Sequence, residues 1–119
     1  MSIRLDGPFR LSAKATDMEL LAKYFRGFGD PTRLRILALL SEQERSVGEL
    51  VSLLEQAQPK VSNHLACLRW CGFVTAERRG KRVFYRVADE RVTEIIGTTR
   101  LLLEGNDEHV TRWNLRQAV

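Results

Sequence analysis

The sequence predicts a mainly α-helical domain with one small β-hairpin, and three observations carry that prediction. Helix-capping signals precede four apolar stretches, at Thr16, Asp30, Ser46 and Asp89. After Gly72 the helical period gives way to two short runs of strand-forming residues around a basic turn. The length of 119 residues, with 44% apolar and 29% charged side chains, fits one globular domain.

The first two helices differ in what their apolar residues indicate. The first follows the capping box Thr16-x-x-Glu19, ends at Gly29 and carries a large apolar stripe. The stripe consists of Leu20, Leu21, Tyr24, Phe25 and Phe28. Core packing and a dimer surface explain it equally well. The second helix, opened by Asp30-Pro31, is almost fully apolar, so we expect it at the centre of the core.

A helix-turn-helix follows, because a third helix opened by Ser46-x-x-Glu49 and a fourth opened by Pro59 are separated by a tight turn. The start of the fourth helix carries polar or cationic residues and a proline: Gln58, Pro59, Lys60, Ser62, Asn63 and His64. A recognition helix presents its base-reading side chains at this position. We therefore interpret the segment as DNA-reading, with a solvated polar face as the alternative.

The hairpin has a basic tip that contains Arg78, Arg79, Lys81 and Arg82. Alone, such a turn is typical of a solvated loop, but beside a helix-turn-helix it favours a wing that contacts the DNA backbone. A fifth helix, capped by Asp89, runs to Gly105. The expected organisation is an N-terminal arm at 1–15, a winged helix-turn-helix domain at 16–105 and a tail at 106–119.

The two cysteines of the chain, Cys67 and Cys71, are spaced i, i+4 on the fourth helix and so lie on one face. On a helical wheel they fall opposite Leu65 and Leu68, which places them away from the core and predicts exposure. A disulfide across one helical turn is geometrically poor, whereas two thiolates can converge on one soft metal ion. The alternative is that both are small buried hydrophobic residues.

Three segments carry a resemblance to a known family: FGDPTRLRILALL, VSNHLACLRWCGFV and GKRVFYRVAD. They resemble the ArsR/SmtB family of bacterial repressors, over about residues 16–105. The resemblance implies a homodimer that binds double-stranded operator DNA and leaves it when a metal ion binds. It implies base contacts by Gln58, Ser62 and Asn63, whereas Pro59 departs from the small polar residue common there. It also implies a dimer interface between the stripe of the first helix and the last helix, with Ile95, Ile96, Leu102 and Leu103.

The string HLACLRWCG resembles the branch of the family that senses cadmium and lead, and mercury regulators of the same fold. In the cadmium/lead branch a third cysteine comes from the C-terminal region, where this chain has Asp107, Glu108 and His109 instead. His64 is a further donor candidate, although a DNA contact or solvation is the favoured interpretation. Two sulfurs satisfy Hg(II), while Cd(II) or Pb(II) needs a third donor. We therefore expect a thiophilic divalent ion at Cys67 and Cys71.

Composition excludes several other classes of protein. The formal net charge of +4 permits a polyanionic partner, and the longest apolar run, residues 36–40, is far shorter than a membrane span. The start of the chain has no apolar segment typical of a signal peptide, so we expect a cytoplasmic protein. The small size of the chain argues against a self-contained enzyme with a deep cleft, so we do not expect an enzyme. Two alternatives stay open: a repressor of the same fold that senses redox or persulfide chemistry, and a small thiol-based metal carrier that does not bind DNA.

Overall fold

The computed structural model describes residues 16–106, 108, 109 and 112. The predicted arm at 1–15, Asp107 and most of the tail lie outside this range. The elements in chain order are α1 (Asp17–Phe28), α2 (Pro31–Glu42), β1 (Arg45–Ser46), α3 (Val47–Leu54), α4 (Gln58–Trp70), β2 (Val74–Arg79), β3 (Arg82–Val87) and α5 (Glu90–Gly105).

Each predicted capping residue holds the start of its helix. Thr16 Oγ1 accepts a hydrogen bond from the backbone N–H of Glu19 at 3.2 Å, and Asp30 Oδ2 accepts one from Arg33 at 3.0 Å. Ser46 and Asp89 do the same for α3 and α5. These bonds satisfy backbone donors that a helix leaves unpaired at its first turn.

The core lies where α2, α3 and α4 meet the sheet, and α2 is at its centre as predicted. Ile36 and Leu37 of α2 are fully buried, as are Leu50 of α3 and Val61 and Leu68 of α4. Leu65 of α4 and Val74 of β2 belong to the same buried cluster. Because α4 is anchored on one side by these contacts, its remaining faces point in fixed directions.

The turn between α3 and α4 contains no glycine, and Glu55 supplies the backbone geometry that reverses the chain. Its φ of 54° and ψ of 42° lie in the left-handed region, which non-glycine residues adopt uncommonly. Ala57 then caps α4 without a side-chain hydrogen bond, and Pro59 stands in the first turn. The helix-turn-helix is therefore formed without the usual turn residues.

Strands β2 and β3 form the predicted antiparallel hairpin, with Val74 opposite Val87 and Arg79 opposite Arg82. We call β2, β3 and the tip residues Gly80 and Lys81 the wing. The short strand β1 pairs with β3 and makes a three-stranded sheet of order β1-β3-β2. Two residues are too few to show strand periodicity, so only tertiary pairing reveals β1. The predicted winged helix-turn-helix architecture is confirmed.

Candidate nucleic-acid interface and thiol site

The N-terminal end of α4 presents a polar surface to solvent. Its exposed residues are Gln58, Pro59, Lys60, Ser62 and Asn63. Val61 and Leu65, on the opposite side, are buried in the core and fix the rotation of the helix. The side chains of the five exposed residues are therefore available to an external partner.

His64, the sixth predicted residue of this segment, is half-buried and faces the protein. Its Nδ1 lies 3.7 Å from Asp30 Oδ2 and 3.4 Å from Arg33 Nη1. Burial by itself raises the pKa of Asp30, but the backbone N–H of Arg33 and the charges of His64 and Arg33 bring it below its usual value. His64 therefore connects the polar end of α4 to the start of α2.

Arg33 extends this connection to α1. Its Nε donates to the carbonyl oxygen of Gly27 at 2.9 Å, and its Nη2 donates to that of Arg26 at 2.8 Å. Carbonyl oxygens in the last turn of a helix have no partner within the helix, so a guanidinium is well suited to them. One side chain thus joins the end of α1 to His64 on α4.

The predicted exposure of the cysteines is wrong. Cys67 is 8% exposed and Cys71 is 4% exposed, and both belong to the buried cluster. Both cysteines share a buried cluster with Leu65 and Leu68, so their predicted placement away from the core is wrong as well. Lys23 and Gly27 of α1 lie beside the end of α4, and the periodicity of α4 contains no information about a neighbouring helix.

Gly27 of α1 lies close to the thiol of Cys71. A Cβ at this position would lie 3.0 Å from Cys71 Sγ and 2.6 Å from Cε2 of Phe73. Phe73 in turn stacks on Phe28, with ring centroids 4.2 Å apart. The absence of a side chain at Gly27 therefore lets α1 approach the end of α4.

A buried lysine accompanies the two thiols. Lys23 is only 3% exposed, and its Nζ lies 3.6 Å from the centroid of the Trp70 ring and 5.2 Å from that of Tyr24. Burial lowers the pKa of Lys23, while the negative charge that Cys71 and Cys67 can carry opposes the shift. The aromatic faces compensate in part for the water that the ammonium has lost.

The same burial acts on the thiol of Cys71. Loss of solvent, reinforced by the neighbouring Cys67, raises the pKa of Cys71 to about 11. In the free protein Cys71 is thus a neutral thiol at physiological pH, and any metal that binds it must displace a proton.

The donor set near the thiols consists of two sulfurs. Among the residues that the structure describes, no group of three His, Cys, Asp or Glu side chains could hold a metal ion. Glu108 and His109 are exposed beyond α5, and the pair Glu108–Arg112 joins Oε1 to Nη2 at 2.6 Å. Asp107 lies outside the described residues. Two sulfurs fit a soft ion of low coordination number, and a third donor must come from elsewhere.

The predicted dimer stripe divides between two faces of α1. Tyr24 and Phe28 are half-buried against Phe73, whereas Leu21 and Phe25 point outward, and Phe25 is 66% exposed. Leu20 is half-buried. Core packing is therefore confirmed for Tyr24 and Phe28, whereas the dimer surface stays a prediction for the exposed Leu21 and Phe25.

An apolar groove of about 420 Å³ lies between α1, α2 and α5. Phe25, Phe28, Ile95, Ile96 and Leu103 are among the side chains that line it. Leu102 and Leu103 are more than half exposed, as is Leu101 beside them. So large an apolar surface is typical of an interface.

The basic residues of the wing divide into two groups. Arg79 forms ion pairs with Glu44 and Glu77, and Arg82 forms one with Glu49. Lys81 at the tip and Arg78 in β2 are exposed and have no ion pair within the described part of the chain, although Arg78 Nε donates to the carbonyl oxygen of Gly80 at 3.2 Å.

Sequence reasoning missed four residues that connect the parts of the site, Lys23, Gly27, Arg33 and Glu44, and it assigned Glu49 only to the capping box of α3. One signal was present, because Lys23 and Gly27 are spaced i, i+4 on one face of α1. A glycine inside a helical pattern can mark a close packing contact. The partners of Arg33 and Glu44 come from distant parts of the chain, and no local pattern predicts them.

None of the helices within the described residues is long and apolar enough to cross a membrane.

The sequence is similar to bacterial transcriptional regulators. The profile of the arsR family of bacterial regulatory proteins matches residues 30–76. A probable mercury resistance operon repressor from Streptomyces lividans is 41% identical over 91 residues, which cover 76% of this chain and 73% of that one. The transcriptional regulator CmtR of Mycobacterium tuberculosis is 42% identical over 77 residues, which cover 65% of each chain.

A solved structure agrees with the fold. The homodimeric winged helix-turn-helix DNA-binding domain of a possible ArsR-family regulator from Mycobacterium bovis superposes with a TM-score of 0.71. It is 27% identical to this chain, and the match covers 82% of this chain and 95% of that one.

Proposed function

Because the chain belongs to the ArsR family of bacterial regulatory proteins, we propose that it is a metal-responsive transcriptional repressor. It binds double-stranded operator DNA as a homodimer and is released when Hg(II), Cd(II) or Pb(II) binds Cys67 and Cys71. One observation carries the proposal: α4 has exposed polar residues at its start and two thiols at its end. A change at the thiols therefore acts on the helix that reads DNA.

The DNA contacts follow from the exposed end of α4 and from the wing. Gln58, Ser62 and Asn63 carry groups that hydrogen-bond to base edges in the major groove. Lys60 and Lys81 are exposed cations that suit phosphate oxygens. Pro59 has no side-chain donor, so it contributes shape only.

The dimer is formed by the outward-facing apolar residues of α1 and α5. Leu21 and Phe25 of α1 and Ile95, Leu102 and Leu103 of α5 are exposed in the single chain. Burying apolar surface contributes about 25 cal/mol per Å², which favours covering this face with a second copy. Two copies then hold two recognition helices at the separation that an operator with two half-sites requires.

Cys67 and Cys71 are the soft donors for the inducing ion, which supplies a strong bond to two thiolates. Two sulfurs meet the preference of Hg(II) for few, soft ligands. The relative from Streptomyces lividans, named as a probable mercury resistance repressor, supports the same choice. Cd(II) and Pb(II) need a third donor, for which Asp107, Glu108 and His109 are the candidates.

Release follows from the position of α1 over the thiols. Gly27 already approaches Cys71 Sγ closely, so Cys67 and Cys71 gain room for a ligand only if α1 shifts. Arg33 holds the end of α1 and lies beside His64, so a shift of α1 reaches the DNA-reading end of α4. The outer face of the same helix forms the dimer contact. Metal and operator then favour different positions of α1, and each weakens the binding of the other.

The experiment is operator release measured by fluorescence anisotropy. The probe is a labelled duplex that covers the region upstream of the protein's own gene, and Hg(II), Cd(II) and Pb(II) are added separately. The wild type is compared with Cys67→Ser, Cys71→Ser and the control Ala66→Ser, which changes an exposed neighbour on the same helix. We expect the wild type and Ala66→Ser to lose about tenfold or more in affinity on metal addition, which is within the usual range of such coupling. Both cysteine variants should bind DNA and stay bound.

Absorption spectra supply a second readout, because thiolate-to-metal charge transfer should appear in the wild type and be largely lost in each cysteine variant. Cysteine variants that still leave the duplex on metal addition would exclude this site. Release of the wild type by an oxidant or a persulfide donor, and by no metal, would favour the redox alternative.

A further inference from the structure

Two arginines face each other at the base of the wing tip. Arg79 ends β2, Arg82 begins β3, and they form the last pair of the hairpin. Like charges directly opposite one another on neighbouring strands are destabilising. Both guanidinium groups lie over the ring of Phe84, with Cζ 4.7 Å and 4.9 Å from its centroid. The two cations therefore need anionic partners nearby.

Arg79 finds its main partner outside the wing. Its two terminal nitrogens bind the two carboxylate oxygens of Glu44, which lies in the segment between α2 and β1, with Nη2 and Oε2 2.9 Å apart. Nη2 also donates to Glu77 Oε2 at 2.8 Å. This two-pronged geometry is the strongest form of an arginine–carboxylate contact. The hydrogen bonds from Arg79 hold the pKa of Glu44 below its usual value.

Arg82 contacts a different part of the domain, at the start of α3. Its Nη2 donates to Ser46 Oγ at 3.0 Å and to Glu49 Oε1 at 3.1 Å. Ser46 and Glu49 form the capping box that opens α3. The wing is thus attached both to the segment that follows α2 and to the first turn of α3.

We infer that Arg79 and Arg82 are positioning residues, which hold the wing on the rest of the domain through Glu44 and Glu49, while Lys81 at the tip contacts phosphate. This replaces the sequence-based expectation that Arg79 and Arg82 contact DNA. Arg79 could reach a phosphate only by leaving a two-pronged carboxylate contact. The inference rests on the proposed function, because the position of the wing matters only to a protein that binds DNA.

The variant that separates positioning from phosphate contact is Glu44→Gln. It removes one negative charge near the DNA and leaves Arg79 free of its main partner. If Arg79 served to contact phosphate, the variant would bind DNA more tightly and with a steeper salt dependence. A positioning role gives the opposite result: affinity for the upstream duplex falls about fivefold, and the slope of log K against log salt does not steepen.

Three further variants complete the series. Glu42→Gln is the matched control, because it removes an acidic residue of the same region that pairs with Arg45 and not with the wing. Arg79→Lys keeps the charge but loses the two-pronged geometry, so it should weaken binding as Glu44→Gln does. Lys81→Gln should lower the slope by about one, the value for one lost phosphate contact.

Amide hydrogen exchange of the free protein gives a readout that does not depend on DNA. Glu44→Gln and Arg79→Lys should speed exchange in β2 and β3, while Glu42→Gln and Lys81→Gln should leave it unchanged. Tighter binding of Glu44→Gln, or wing exchange equal to that of the wild type, would overturn the inference. Failure of the wild type to bind the upstream duplex would instead refute the proposed function, and hydrogen exchange would still decide whether Glu44 holds the wing.

Discussion

The two ends of α4 belong to one helix but lie in opposite environments. Gln58, Ser62 and Asn63 at the start are exposed, whereas Cys67 and Cys71 at the end are buried. At the end of α4, Lys23 and Gly27 of α1 lie against Trp70 and Cys71, whereas the polar residues at its start face solvent. A rigid helix with one free end and one covered end can couple a ligand at the covered end to a partner at the free end.

The largest effect should come from disrupting the proposed dimer contact on the outer face of α1, and it should appear as weaker association of the two copies. Phe25→Asp places a carboxylate at the centre of the proposed dimer face, and the change occurs twice in a symmetric dimer. Two lost phenyl contacts at about 2 kcal/mol each correspond to about a thousandfold weaker association. Analytical ultracentrifugation at micromolar concentration should find a monomer.

Leu53→Asp is the control for this change, since Leu53 is an exposed apolar residue of α3 that lies away from the groove of α1 and α5. It should stay dimeric. A dimeric Phe25→Asp would mean that another face joins the two copies.

The second effect concerns the reactivity of thiols at the two ends of α4. At pH 8 a thiol with a pKa of about 11 is ionised to about one part in a thousand, whereas an ordinary cysteine with a pKa near 8.5 is about a quarter ionised. The greater nucleophilicity of a high-pKa thiolate offsets part of this difference. With burial added, iodoacetamide should modify Cys71 at least tenfold more slowly than a cysteine introduced by Ser62→Cys.

The sign of the pH dependence follows from the raised pKa. Alkylation of Cys71 should keep accelerating as the pH rises from 8 to 10, while the Ser62→Cys thiol should level off near pH 9. Mass spectrometry of peptides quenched at intervals distinguishes the sites. Equal rates at both ends of α4 would mean that α1 does not cover the cysteines in solution.

The third prediction concerns DNA recognition by the exposed N-terminal end of α4. Asn63→Ala should reduce the ratio of operator to random-sequence affinity by about tenfold, because a side-chain amide that reads a base contributes about 1–3 kcal/mol of discrimination. Lys81→Ala is the matched contrast. It should weaken both duplexes equally and lower the salt slope by about one. An unchanged ratio in Asn63→Ala would mean that this end of α4 does not read sequence.

The last prediction concerns the close contact between Gly27 of α1 and the residues at the end of α4. Gly27→Ala places a methyl group against Phe73 and Cys71, so the free energy of unfolding should fall by about 1–3 kcal/mol. Gly48→Ala in α3 meets only Ser46 Oγ at 3.9 Å and should gain about 0.5–1 kcal/mol. Urea denaturation at one protein concentration measures both.

The same variant tests the coupling. If a shift of α1 is what releases the operator, Gly27→Ala should bind operator more weakly than wild type in the absence of metal. A folded, dimeric Gly27→Ala protein with wild-type operator affinity would argue that α1 does not transmit the signal.

The order of the helices, the caps and the hairpin were predictable from the sequence, because they depend on local patterns. Thr16, Asp30 and Ser46 occupy the cap positions that their spacing predicts, and Pro59 stands in the first turn of α4. The face shared by Cys67 and Cys71 was equally predictable, since a helix of known period fixes it.

What each face of a helix contacts depends on the tertiary structure. Cys71 is buried beside Gly27 of α1, which stands 44 positions earlier in the chain and whose lack of a side chain permits the approach. Arg79 meets Glu44 across 35 positions of sequence, which no window of local pattern contains. Periodicity fixes the direction in which a side chain points along its own helix, but burial and charge pairing depend on which distant element the folded chain brings there.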